Sequence, residues 1–196
     1  MPTPSTQLTL IQRLRDPADQ EAWQRFESGY RELVVRFAMR RGLQRQDAED
    51  VAQAVFAAMV TAMQGFMLDA SRGRFRDYLF RAVRNEIARN RARAARAPGS
   101  GPMLSLDERE AADSADARDF EDEWMAHHLR TALDFLRKTQ PPQSIAVFER
   151  LLAGDAVVAV AAAFGMSQEA VHKVKQRMRD RMRERVREQV VEEGAR

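Results

Sequence analysis

The chain has 196 residues, a formal net charge of +3, 31% charged and 44% hydrophobic side chains, a balance that excludes a disordered polyelectrolyte and fits one large or two small folded domains. It contains no cysteine, which excludes disulfides, thiolate metal sites and cysteine nucleophiles and fits a reducing compartment. No run approaches the ~20 apolar residues that span a bilayer, and the opening MPTPSTQLTLIQRLRD lacks the apolar core of a secretory signal, so a cytoplasmic protein without membrane association is expected.

Alternating strand patterns are nearly absent, while apolar residues recur at helical spacing, so the expected fold class is all-α. Thr6 is placed to cap a short helix carrying Leu8, Ile11 and Leu14. Asp16-Pro17 reads as an N-cap followed by proline in the first turn of a helix bearing Trp23, Phe26, Tyr30, Leu33, Val34 and Phe37, stopped by Gly42. Another helix is expected from near Asp47, with Val51, Ala52, Val55, Phe56, Met59 and Met63 on one face. Residues 65–73 read as a loop. A long helix then starts at about Phe75, packs through Tyr78, Leu79, Ala82 and Val83, and runs into an Arg/Ala stretch that ends at Pro98.

Residues 98–119 read as a flexible acidic linker. APGSGP supplies helix breakers, and residues 107–123 hold nine acids against two arginines, a net of −7. The expected organisation is therefore two small helical domains, 1–97 and 120–196, joined by that tether. In the second, one helix is expected to pack through Met125, Leu129, Leu133 and Leu136 until Pro141-Pro142 ends it. The next groups Ile145, Phe148, Leu151 and Leu152 and stops at Gly154. His127 and His128 are adjacent, so their side chains diverge on a helix, and a surface position is expected for them.

The carboxy-terminal stretch DAVVAVAAAFGMSQEAVHKVKQRMRDRMRERVR has the spacing of a helix-turn-helix. Asp155 can cap a short helix, Ala156 to Phe164. Gly165 can supply a positive backbone angle, and Ser167 can cap the second helix. Ala161, Gly165 and Val171 are the small and apolar residues that let two such helices approach. Val171, Val174, Met178 and Met182 form one stripe of the second helix. Opposite lie Glu169, His172, Lys173, Gln176 and Arg177, types that suit major-groove reading: Gln pairs with adenine, Arg with guanine, and Glu accepts from cytosine. Of these, His172 fits a base contact and an incidental surface position equally. Residues 172–187 carry eight Lys/Arg and two acids, a net of +6, suited to phosphate neutralisation.

DAEDVAQAVF, residues 47–56, opens a helix whose Asp47, Glu49, Asp50 and Gln53 make a polar, mostly anionic surface. Capping and dipole complementarity account for Asp47 and Glu49, but less well for Asp50 and Gln53. With the upstream aromatic helix ending in RRGL and the downstream GRFRDYLFRAVRNEIARNRAR, this segment resembles region 2 of extracytoplasmic-function (ECF) sigma factors. The carboxy-terminal block resembles region 4 of that family, and the resemblance covers roughly residues 18–190.

The resemblance implies a minimal two-domain RNA polymerase sigma factor, with core RNA polymerase and promoter DNA as partners and the −10 element melted by the first domain. An anti-sigma factor is a frequent further partner in the family. Asp47, Glu49, Asp50, Gln53 and Phe56 would then dock on core polymerase, although Phe56 fits the core equally. Residues 72–96 hold nine arginines against Asp77 and Glu86, a net of +7. Arg72, Arg74, Arg76, Phe80, Arg81, Arg84 and Asn85 would face the −10 element, with Arg91 extending the phosphate track. The loop Met67–Arg74 would hold an extruded base, and Phe80 is the aromatic expected to be exposed, whereas Phe75 and Tyr78 fit the core better. Glu169, His172, Lys173, Gln176 and Arg177 would read the −35 element. The acidic linker is open to three readings: a solvated tether, a nucleic-acid mimic inside polymerase, or a partner for the basic helices.

An enzyme is a poor fit. There is no phosphate-binding glycine loop and no metal-ligand spacing, so no catalytic residues, cofactor, metal or small-molecule substrate are expected. The competing readings are an ordinary transcriptional regulator with an amino-terminal dimerisation or sensing domain, and an RNA-binding or scaffold protein using its arginines non-specifically.

Overall fold

A computed structural model describes residues 10–64, 75–95 and 106–192. Among them every regular element is a helix, as expected: α1 (Leu10–Arg13), α2 (Gln20–Arg40), α3 (Arg45–Gln64), α4 (Phe75–Ala95), α5 (Leu106–Thr139), α6 (Pro142–Leu152), α7 (Val157–Phe164) and α8 (Gln168–Glu192). The chain divides into two compact units, Met1–Met125 with Val191–Arg196, and Ala126–Val190. The Thr6 cap and Leu8 lie outside the described residues.

In the first unit the cap of α2 is Asp19, not Asp16. The Asp19 carboxylate accepts from Ala22 N–H at 3.0 Å and takes a two-pronged ion pair from Arg13 at 2.8 and 2.9 Å. That pair first, and the capped N–H second, hold the Asp19 carboxyl below its ordinary pKa. Asp16 instead accepts from Ala18 N–H at 2.9 Å, so Asp16-Pro17 shapes the preceding turn and the helix starts three residues after Pro17. At the other end Gly42 adopts φ +88°. There Leu43 N–H donates to the Ala38 carbonyl at 3.3 Å and Gly42 N–H to Met39 at 2.8 Å, the pair of bonds that satisfies orphan carbonyls at a helix end.

Helices α2, α3 and α4 share an aromatic core. Phe26 and Phe37 are fully buried, and Phe26 meets Phe56 edge-on at 5.4 Å and Phe75 at 5.8 Å. Leu79, Val83, Met59 and Met63 complete it.

Of the expected tether, residues 98–105 lie outside the described residues, and residues 106–119 are helical, with α5 continuing through them to Thr139. Ala, Glu, Asp and Arg favour or tolerate a helix, and two bulky anchors follow: Phe120 and Trp124 are only 2% and 6% exposed and join the first core. On the same helix the burial pattern departs from the expected stripe. Met125 and Leu129, expected inside, are 49% and 45% exposed, while His127 and His128, expected at the surface, are buried. His128 is held within the second unit, where its Nδ1 lies 3.1 Å from the Gln189 side-chain oxygen.

The second unit is built on the end of α5 with α6, α7 and α8. Leu136, Ile145, Phe148, Val160, Ala161, Val171, Val174 and Met178 form its core. Pro142 starts α6 without needing a hydrogen-bond donor.

Candidate nucleic-acid interface

The helix-turn-helix of the second unit is α7, a turn at Gly165, and α8. Gly165 takes the left-handed conformation, φ +61° and ψ +34°. Met166 N–H then donates to the Ala161 carbonyl at 2.9 Å, closing α7. Ser167 Oγ accepts from Ala170 N–H at 3.2 Å, capping α8 as the sequence predicts. Asp155 does not cap α7: Ala156 occupies that position without a side-chain bond, and the Asp155 carboxylate accepts from Arg150 Nε at 2.6 Å. A guanidinium five residues upstream offers a charged donor, which outweighs one backbone N–H.

Val171, Val174 and Met178 are buried, with Met182 partly buried behind them. This fixes α8 so that Glu169, His172, Lys173, Gln176 and Arg177 are all exposed. They are not independent of their neighbours. Lys173 Nζ lies 2.7 Å from Glu169, Gln176 Nε2 donates to Asp180 at 3.0 Å, and Arg177 donates to Ser144 Oγ at 3.0 Å. Lys173, Gln176, Arg177, Asp180, Arg181 and Glu184 line a shallow groove of about 430 Å³. Asp180 and Ser144 are site neighbours that the sequence reading does not single out. Asp180 lies on the same face four residues after Gln176, a spacing that would have shown it, whereas Ser144 comes from α6 and carries no sequence signal.

In the first unit, Asp47, Asp50 and Gln53 are exposed on α3. Glu49 is engaged, 2.8 Å from Arg31 of α2 and 3.5 Å from Arg45. Phe56 is 6% exposed and belongs to the core, so its ring is not available on that surface.

Along α4, Arg81 and Asn85 are exposed, and the Arg84 guanidinium lies 5.8 Å above the Phe80 ring. Phe80 itself is half-buried rather than exposed. It meets Phe120 at 5.2 Å and Phe37 at 6.2 Å, because α5 covers a side of α4 that the tether expectation left open. Phe75 is buried and Tyr78 packs against the core, and burial raises the Tyr78 phenol pKa, partly countered by Arg81.

Several arginines of this stretch already have anionic neighbours. Arg76 pairs with Asp77 at 3.1 Å and with Glu121 of α5, and Glu86 sits between Arg89 and Arg93 at 3.1 and 3.3 Å. Arg91 donates to the Arg41 carbonyl. Arg72, Arg74 and the expected base-holding loop Met67–Arg74 lie outside the described residues. Arg40 and Arg41, not singled out by sequence, are drawn to the acidic face of α5.

Among the described residues no cluster of His, Asp or Glu could hold a metal ion, and no helix is long and apolar enough to cross a membrane. Residues 28–97 match the family model for Sigma-70 region 2. The match covers α3, α4 and most of α2, and it supports a role as a sigma factor in transcription initiation. No curated protein matches the chain.

Proposed function

We propose that this protein is a minimal, ECF-type sigma factor: a non-catalytic factor that joins core RNA polymerase and directs promoter-specific initiation. The observation that carries the reading is the Sigma-70 region 2 match over residues 28–97, on the unit whose α4 presents arginines. Asp47, Asp50 and Gln53 then face core polymerase, with Glu49 holding α2 to α3 through Arg31. Arg76, Arg81, Arg84 and Asn85, together with Arg72 and Arg74, engage the −10 element. Phosphate contacts of this kind position the strand, and base contacts specify it.

The second unit supports the other half of the reading. Its capped α8 exposes Glu169, His172, Lys173, Gln176 and Arg177 on one face, the arrangement by which a recognition helix reads the major groove, here at the −35 element. The phosphodiester chemistry belongs to polymerase, so this chain supplies recognition and strand opening. An anti-sigma factor fits as the regulator, and the site of action is the cytoplasm.

Run-off transcription with core polymerase and promoter DNA tests the proposal. The folded protein should direct initiation from a discrete start site, and failure to do so overturns it. Replacing both Lys173 and Arg177 with Ala should weaken upstream promoter contacts while leaving core-polymerase binding intact.

A further inference from the structure

Three side chains follow one another along α4 at a spacing of four residues: Arg76, Phe80 and Arg84. Residues so spaced share a helix face, and the Arg84 guanidinium lies over the Phe80 ring. Guanidiniums spaced along one helix face are the makeup of a surface that tracks a nucleic-acid backbone, where phosphates meet arginines, and the packed Phe80 ring holds Arg84 in that row. Helix α5 lies against the upper part of this stripe. Phe120 packs on Phe80 at 5.2 Å, and the Glu121 carboxylate pairs with Arg76.

The neighbouring acids of α5 make the same kind of pairing nearby. Asp116 and Asp119 pair with Arg41, and Glu123 lies 3.7 Å from Arg40. These pairs differ in how readily they exchange. The Arg41 and Asp116 side chains are each only 16% exposed, so separating them would strand charges away from water. Arg76 and Glu121 are 27% and 47% exposed, and ion pairs at that depth contribute little to stability. The helix backbone, by contrast, is fixed by the buried Phe120 and Trp124. Exchange at Arg76 therefore needs only a side-chain rearrangement and no detachment of α5.

We propose that Glu121 is an internal stand-in for a nucleic-acid phosphate, holding Arg76 until an incoming single strand displaces it. This rests on reading α4 as a nucleic-acid-facing helix. The carboxylate keeps Arg76 oriented along the stripe and, with Asp77 beside it, sets an electrostatic threshold against weakly held polyanions. A strand passes the threshold when its phosphate takes over Arg76.

The test is fluorescence anisotropy of a labelled single-stranded oligonucleotide with the full-length chain, repeated across a salt series. Glu121→Gln should bind about two- to fivefold tighter than wild type, the range a surface ion pair allows, with a steeper salt dependence because one more phosphate contact forms freely. Asp134→Asn, which makes the same charge change at an exposed pair with Arg137 in the second unit, should give a smaller gain. The gain from Glu121→Gln should vanish when Arg76→Ala is added. The proposal is overturned if Glu121→Gln binds no tighter than wild type or than Asp134→Asn, or if the gain survives without Arg76. The measurement needs no polymerase, so failure of run-off transcription alongside an intact Glu121→Gln gain would overturn the sigma reading alone.

Discussion

His128 Nδ1 lies 3.1 Å from the side-chain oxygen of Gln189, joining α5 to the far end of α8 across 61 residues of sequence. Both residues are buried, at 2% and 6% exposure, so the bond forms where water does not compete. Gln189→Ala removes the acceptor from a buried ring nitrogen, and the cost of such an orphaned group is about 1–3 kcal/mol. Urea denaturation of the second unit's transition should show it. An unchanged midpoint would mean that the pair adds nothing.

His127, one residue earlier, gives the protein an acid-sensitive spot. Burial chiefly, and then His128 and Arg130, lower its pKa from 6.5 to about 4. The folded state therefore binds fewer protons than the unfolded state between those values, and stability falls as pH drops through that window. Above pH 6.5 the group is neutral in both states and costs nothing. Below about pH 4 the loss levels off, at no more than about 3 kcal/mol. The difference in unfolding free energy between wild type and His127→Leu, followed from pH 7 to pH 4, should trace this slope. A difference independent of pH would contradict it.

The turn between α7 and α8 depends on backbone handedness. A Cβ at Gly165 would meet nothing within 4 Å, so the penalty for Gly165→Ala is purely that of the left-handed conformation, about 1–2 kcal/mol. Ser167→Ala removes the bond to Ala170 N–H and should cost about 1 kcal/mol. Both losses are measurable by denaturation, and a Gly165→Asn variant, which tolerates this conformation better, should recover part of the first.

Phe56 and Asp50 separate core from surface on α3. Phe56→Ala opens a hole beside Phe26 and should cost about 3–5 kcal/mol. Asp50→Ala, at an exposed position, should change stability by less than about 0.5 kcal/mol yet weaken capture of core polymerase in a pull-down. Equal binding by wild type and Asp50→Ala would remove this residue from the proposed docking surface.

Where local rules suffice, the sequence is a good guide to this molecule. Gly165 and Ser167 sit in a motif whose turn chemistry needs no knowledge of distant residues, and they behave as their types require. The stripe Val171, Val174 and Met178 follows from helical period alone. Several of the misreadings centre on α5. Its acidic, aromatic-free start reads as a tether because the arginines that receive its carboxylates, Arg41 and Arg76, stand 75 and 45 residues away from Asp116 and Glu121. Once Phe120 and Trp124 enter the first core, the covering of Phe80 follows, while the burial of His128 comes with Gln189, 61 residues later. The cap at Asp19 is a similar case, since its advantage over Asp16 comes from Arg13 arriving from α1.

The cations of α4 and its surroundings are all arginines, and residues 1–125 contain no lysine. A guanidinium does not lose its proton in any physiological range. The positive charge of the first unit is thus constant with pH and has no side-chain amine that acylating enzymes or reagents could neutralise. Lysine acetylation can alter only Lys138, Lys173 and Lys175, two of which stand on α8. Acetylation therefore removes positive charge from α8, the helix proposed to read duplex DNA, and leaves the arginine stripe with its proposed Glu121 latch untouched.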